Sequence, residues 1–222
     1  MSNIRTIEFV NNSGSANKSY NVFSAKALVE GGGNTSVKSV VFFKTRTISE
    51  GQRAVFKFDN SFYGFLGTQD NKTIYTQSNK KVTIGSDRED GDILLLDKTS
   101  TFTVIPPDDE VKAPGLQQFK IRTNANLNPD KDVIGVSRGR YNGSIVAAAT
   151  DVVDLKSNVT YTFTTSNAVY INASNFTEAT VQTAPDDEDK NAVKVEFAGQ
   201  MKKAVVTEDD KGNFTVSYSR GD

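Results

Sequence analysis

Residues 39–66 read SVVFFKTRTISEGQRAVFKFDNSFYGFL, and the reading of this stretch decides the fold. Its centre alternates, with Ala54, Phe56 and Phe58 set against Arg53, Val55 and Lys57. A period of two marks a strand with one buried face. The stretch 40–44 opens on four apolar residues, Val40 to Phe43, and reads as a strand covered on both faces. Asp59-Asn60-Ser61 has the composition of a turn, so residues 62–66 read as the return strand of a hairpin.

The pattern then recurs at an offset of 105 residues. SVVFFKT at 39–45 returns as SIVAAAT at 144–150. Val159, Tyr161, Phe163 and Ser166 stand where Ala54, Phe56, Phe58 and Ser61 stood, and Tyr170 and Ile171 replace Phe65 and Leu66. Working outward, Ile7, Phe9 and Asn12 match Phe119, Ile121 and Asn124 at an offset of 112. The loop around Gly31-Gly32-Gly33 shortens at 138–143, which accounts for the drop from 112 to 105. Near the end of each copy DKTSTFTV at 97–104 matches DKGNFTV at 210–216, with Phe102 against Phe214. The second copy gains its extra residues around 193–201.

Between the copies, 106–115 carries Pro106, Pro107 and Pro114 and reads as a semi-rigid extended linker. No window shows an apolar stripe of helical period, while short strands recur between turn signals. The expected fold is all-β: two tandem, internally duplicated β-sandwich-like domains. Their expected bounds are 1–106 and 117–222, joined by the linker at 107–116.

Composition narrows the chemistry. The chain has 222 residues, 26 basic against 27 acidic, for a net charge of −1. That balance gives no electrostatic footprint for nucleic acid. There is neither Cys nor His, which excludes disulfide frameworks, thiolate zinc sites and nucleophile–histidine hydrolases. No stretch has the length and apolarity of a membrane helix, so membrane insertion is not expected. The first residues, MSNIRTIEFV, lack the apolar core of a secretory leader. The expectation is a cytoplasmic protein, or one secreted without a classical signal peptide. Nine Asn-x-Ser/Thr sequons, at Asn11, Asn17, Asn34, Asn71, Asn142, Asn158, Asn172, Asn175 and Asn213, would suit a glycosylated secreted protein, but chance in a chain rich in Asn, Ser and Thr is the simpler reading.

Two sets of residues stand out as candidate sites. Asp87, Glu89, Asp90 and Asp92 form an acidic loop that recurs as Asp186, Asp187, Glu188 and Asp189. Carboxylates converging at strand ends suit Ca²⁺, but the spacing departs from the EF-hand pattern, and a solvated charged turn is the simpler reading. No cofactor is expected beyond that candidate calcium site. The second set is aromatic: Tyr63, Tyr75, Tyr141 and Tyr170. Exposed rings on a rigid β-scaffold stack on sugars or anchor a partner, whereas inward-facing ones fill the core. No residue presents itself as catalytic. The expected function is therefore non-catalytic: a binding or structural protein presenting loops to a glycan or protein surface, with self-association open to it. The alternative is a glycoside hydrolase, which needs only two carboxylates about 5–10 Å apart.

Overall fold

The alternating stretch does form a strand, but it runs past the expected turn, from Arg53 to Asp70. In the computed structural model, residues 4–33, 35–125, 127 and 130–221 are described. The sequon at Asn34 lies outside them. Among the described residues the chain forms eighteen strands and no helix. The first nine are β1 (Ile4–Asn11), β2 (Tyr20–Ser24), β3 (Leu28–Glu30), β4 (Lys38–Val40), β5 (Phe43–Lys44), β6 (Arg53–Asp70), β7 (Thr73–Val82), β8 (Ile93–Leu96) and β9 (Phe102–Ile105). The others are β10 (Gln118–Thr123), β11 (Asp132–Tyr141), β12 (Ile145–Asp154), β13 (Thr160–Thr164), β14 (Val169–Ala173), β15 (Val181–Gln182), β16 (Ala192–Val195), β17 (Lys203–Glu208) and β18 (Phe214–Ser219).

These strands make three sheets. A nine-stranded sheet runs β15-β4-β12-β11-β6-β1-β17-β18, with β7 also paired to β6. A five-stranded sheet runs β3-β13-β10-β8-β9, and a four-stranded sheet runs β16-β14-β2-β5. The large sheet divides along β6: residues 53–59 pair with β1, and residues 62–70 pair with β7 on the same edge. The true hairpin turn comes only at 70–73, where Asn71 takes a φ of 54°. Asn tolerates that left-handed conformation better than most side chains.

Period-two side-chain alternation puts Phe56, Phe58, Phe62 and Leu66 on one face of β6, yet they serve two cores. Phe56 and Phe58 join Ile7, Phe9, Ala204 and Val206 of the large sheet against Tyr20, Val22, Val169 and Ile171 of the four-stranded sheet. Phe62 and Leu66 join Ile134, Val136 and Val153 against Leu94, Phe119, Ile121, Tyr161 and Phe163 of the five-stranded sheet. Phe56, Phe58, Tyr161 and Phe163 are all buried, as their spacing requires. Gly64 permits the second packing, because a Cβ there would lie 2.3 Å from Leu94 Cδ1. On the other face of β6, Phe65 meets Val40, Ile74, Val133 and Val152 in a smaller cluster.

Each of the two larger cores therefore mixes strands from both sides of 107–116. β1 pairs in parallel with β17, and β10 pairs in parallel with β8. β14 pairs with β2, and β11 pairs with β6. The repeated blocks occupy corresponding places in this interleaved scheme. Phe9 faces Val206 as Ile121 faces Leu94, which is a uniform offset of 112. Val206 faces Val216 as Leu94 faces Val104, at the same offset. Tyr170 faces Phe23 as Phe65 faces Gly135. The sheets are thus not divided at 107–116; the two cores each draw on both flanks.

Other expectations are corrected locally. Asp59-Asn60-Ser61 is no turn: β6 continues through it, with a register shift against β11 at Arg138/Gly139. Residues 40–44 do not form one strand, because β4 pairs with β12 in the large sheet and β5 with β2 in the small one. The segment 106–115 is docked rather than free. Val111 is buried, Arg122 forms ion pairs with Asp108 and Glu110 at 2.9 and 2.5 Å, and Lys120 Nζ donates to the Lys112 carbonyl at 2.7 Å. The residue equivalent to Asp97 is Asp209, one place before the residue that the DK match suggests. Asp97 accepts from the backbone N–H groups of Thr99 and Thr101, and Asp209 from those of Lys211 and Asn213.

Candidate functional site

The two chain spans that cross between the two larger cores meet at one place. β6 crosses at residues 59–61, and the segment 165–168 crosses in the opposite sense between β13 and β14. Arg138 of β11 lies between them, with no exposed surface. Its guanidinium is held between the Phe58 ring at 4.9 Å and the Phe62 ring at 5.0 Å, one from each core. Nη2 donates to Asn60 Oδ1 at 2.9 Å, and Nη1 reaches the Ala168 carbonyl at 3.4 Å. Burial pulls its pKa down to about 10, opposed by Asp151 and Asp59, so it stays cationic at neutral pH. Facing aromatic rings compensate a desolvated cation where no carboxylate lies within ion-pair distance.

Above this crossing lies a cleft of about 310 Å³, lined by Asn60, Ser61, Phe62, Gln117, Thr165 and Asn167, with Val82 and Ile84 at its side. Its lining is amide, hydroxyl and apolar, without a charged side chain. Arg138 fixes the Asn60 amide by occupying its oxygen, which leaves the NH₂ group as the donor. Gln117 holds a φ of 58°. Its backbone N–H donates to the Gly85 carbonyl at 2.7 Å, and its carbonyl accepts from the Thr165 N–H at 2.9 Å. A non-glycine residue held in the left-handed region by such bonds is a recurring mark of binding sites.

The aromatic candidates do not converge on one surface. Tyr75 is exposed on β7 and Tyr141 lies at the tip of the β11–β12 hairpin. Tyr63 is half-buried on β6, and burial raises its pKa, with Asp59 adding to the effect. Tyr170 is buried on β14 and donates to Asp187 Oδ1 at 2.7 Å; burial and that carboxylate raise its pKa to about 12.

The acidic loops spend several carboxylates on their own backbone. Asp92 accepts from the Thr83 N–H at 2.7 Å, Asp186 from Glu188 at 3.0 Å and Asp189 from Asn191 at 2.9 Å. Asp187 is engaged by Tyr170 and lies 3.7 Å from Lys194 Nζ. Asp87, Glu89 and Asp90 are exposed around the 86–89 turn, and Glu188 is exposed in its own loop. Among the described residues no three acidic side chains form a group able to hold a metal ion.

Sequence reasoning missed the cleft. Its residues are neutral, and Asn60, Ser61, Thr165 and Asn167 look like ordinary turn formers. The available signal was that similar turn formers, Asn60-Ser61 and Thr165-Ser166-Asn167, stand in both halves of the chain.

A β-only chain of three sheets, with two cores that each draw on both halves and a neutral polar cleft where the chain crosses between them, defines the class. The chain belongs to the RhiA family, whose model matches residues 3–219. That span covers all three sheets and the cleft together. Comparison with curated proteins and with solved structures finds no match. No helix among the described residues is long and apolar enough to cross a membrane.

Proposed function

We propose that the chain is a non-catalytic binding protein whose cleft at the strand crossing takes part of a glycan. The observation that carries this reading is the lining: Asn60, Ser61, Gln117, Thr165 and Asn167 around the apolar edge of Phe62. Sugars present many neutral hydroxyls that both donate and accept, together with apolar ring faces. Amides and hydroxyls match that chemistry without the desolvation cost of buried charge. The packed Arg138 beneath supports the reading, since a site fixed before binding loses less freedom on binding.

On the same reading the halves are copies of one ancestral unit whose strands have exchanged across the crossing. The uniform offset of 112 in the β1–β17 and β10–β8 pairings supports this. The cleft is then a product of the duplication, because it takes one crossing segment from each copy.

The test is a glycan-array screen followed by calorimetry with each hit. Ser61 is half-buried and Asn167 exposed, so Ser61→Ala with Asn167→Ala should leave the melting temperature unchanged. It should lower affinity by about tenfold, the equivalent of one to two net hydrogen bonds. Binding indifferent to the double substitution would overturn this site, and no glycan bound would overturn the function. Release of a shortened saccharide would instead support the hydrolase reading.

A further inference from the structure

A second concavity has the opposite chemistry. It encloses about 540 Å³ and is lined by Lys26, Lys38, Ser39, Lys72 and the segment 181–186. The three ammonium groups come from separate segments: the β2–β3 loop, β4, and the turn between β6 and β7. Lys38 is already committed, donating to Asp154 at 2.5 Å and to Gln69 at 2.9 Å. Lys26 and Lys72 form no ion pair among the described residues. Asp186, across the groove, is the carboxylate of the lining.

The walls are fixed independently of the lysines. Val181 N–H donates to the Lys72 carbonyl at 2.7 Å, and Ile74 N–H donates to that of Ala179 at 2.8 Å. Val41 and Ala179 exchange further bonds with this segment, and Ala179 is held at a φ of 57°. Beneath the groove Ser39 donates to the buried Asp151 at 3.2 Å. Burial keeps that carboxyl toward its neutral form, so it opposes an anion above it less than an ionised group would.

We propose that this groove is an anion site, distinct from the neutral cleft, which binds an oxyanion group between Lys26 and Lys72. A carboxylate, sulfate or phosphate supplies the needed chemistry: several acceptors for charge-assisted N–H donors. Such a group is carried by an acidic sugar or arrives as the free ion. The proposal stands whether or not the cleft binds glycans.

The experiment follows backbone amide NMR shifts of the full chain at constant ionic strength. The probes are sodium sulfate, inorganic phosphate and glucuronate, with neutral glucose as the control. At least one oxyanion should move the amides of Lys26, Lys72 and residues 181–183 in a saturable way, while those of Asn60 and Asn167 stay still. The identity of the tightest probe separates a free inorganic ion from an acidic sugar. Lys26→Ala with Lys72→Ala should weaken that probe by at least about tenfold, and the single Lys72→Glu should abolish binding. Added sodium chloride should weaken it further. No saturable shift with any of the three anions would overturn the proposal. So would an equal response to glucose, or affinity unchanged in the folded double variant.

Discussion

β6 and the β13–β14 span carry matching sequence, and both cross between the two cores, but they cross differently. β6 stays one strand of eighteen residues and keeps Phe56, Phe58, Phe62 and Leu66 on a single face. The other span breaks at 165–167 and changes sheets, leaving Phe163 in one core and Val169 in the other. The unbroken crossing joins two half-sheets into the nine-stranded one, and the broken crossing leaves the facing sheets separate. One buried cation serves both: Arg138 donates to Asn60 Oδ1 on the first and reaches the Ala168 carbonyl on the second. Arg138 has Lys26 as its counterpart at an offset of 112, but β2 ends at Ser24 and Lys26 is exposed. One extra stretch of strand in β11 thus separates a packing residue from a groove residue.

The largest expected effects compare the two crossings through their aromatic counterparts. Phe58→Ala and Phe163→Ala should each cost about 3–5 kcal/mol in denaturant unfolding, since both rings are wholly buried. Losses that agree to within about 1 kcal/mol would sharpen the correspondence. A loss below that figure at either site would place its ring in solvent and break it.

Arg138→Met comes next, with an expected cost of about 3 kcal/mol, because Asp151 and Asp59 lose the positive charge that faces them and Asn60 loses its donor. Hydrogen exchange should show β1 and β10 losing protection together. Loss confined to one core would show that the guanidinium does not couple the two.

A smaller effect concerns Asp151, whose pKa is raised by burial from 3.8 to about 7. The folded protein holds this proton more tightly than the unfolded chain does. The associated stability is complete below about pH 4 and is lost as the pH rises toward 7. Asp151→Asn should remove that fall, so its melting temperature should vary less than wild type's between pH 4 and 7. Parallel curves would show that the carboxyl is ionised throughout. The smallest effect is at Gln117, where glycine relieves a left-handed backbone: Gln117→Gly should stabilise by about 1 kcal/mol while weakening glycan binding.

The sequence disclosed the strands better than it disclosed their partners. Alternation over 53–58 and 159–163 identified the buried faces because each strand carries its own period. The misreading of Asp59-Asn60-Ser61 arose because turn propensity is local, whereas what holds those residues extended is Arg138, 78 positions away from Asn60. The pairing of β1 with β17 joins the two ends of the chain, and no neighbouring residue announces it. Of the cleft, the repeated turn letters were visible. The positive φ of Gln117 was not, since glutamine gives no hint of it.

The most direct test of the interleaved account is to cut the chain before Asp108, expressing 1–107 with β1–β9 and 108–222 with β10–β18. Each fragment then lacks strands of both larger cores, because Phe9 needs Val206 beside it and Ile121 needs Leu94. The account predicts that neither fragment alone shows a cooperative thermal transition. Mixed, the two should form a one-to-one complex with the near-ultraviolet spectrum and single transition of the intact protein. Two fragments that each melt cooperatively on their own, and ignore one another when mixed, would contradict it.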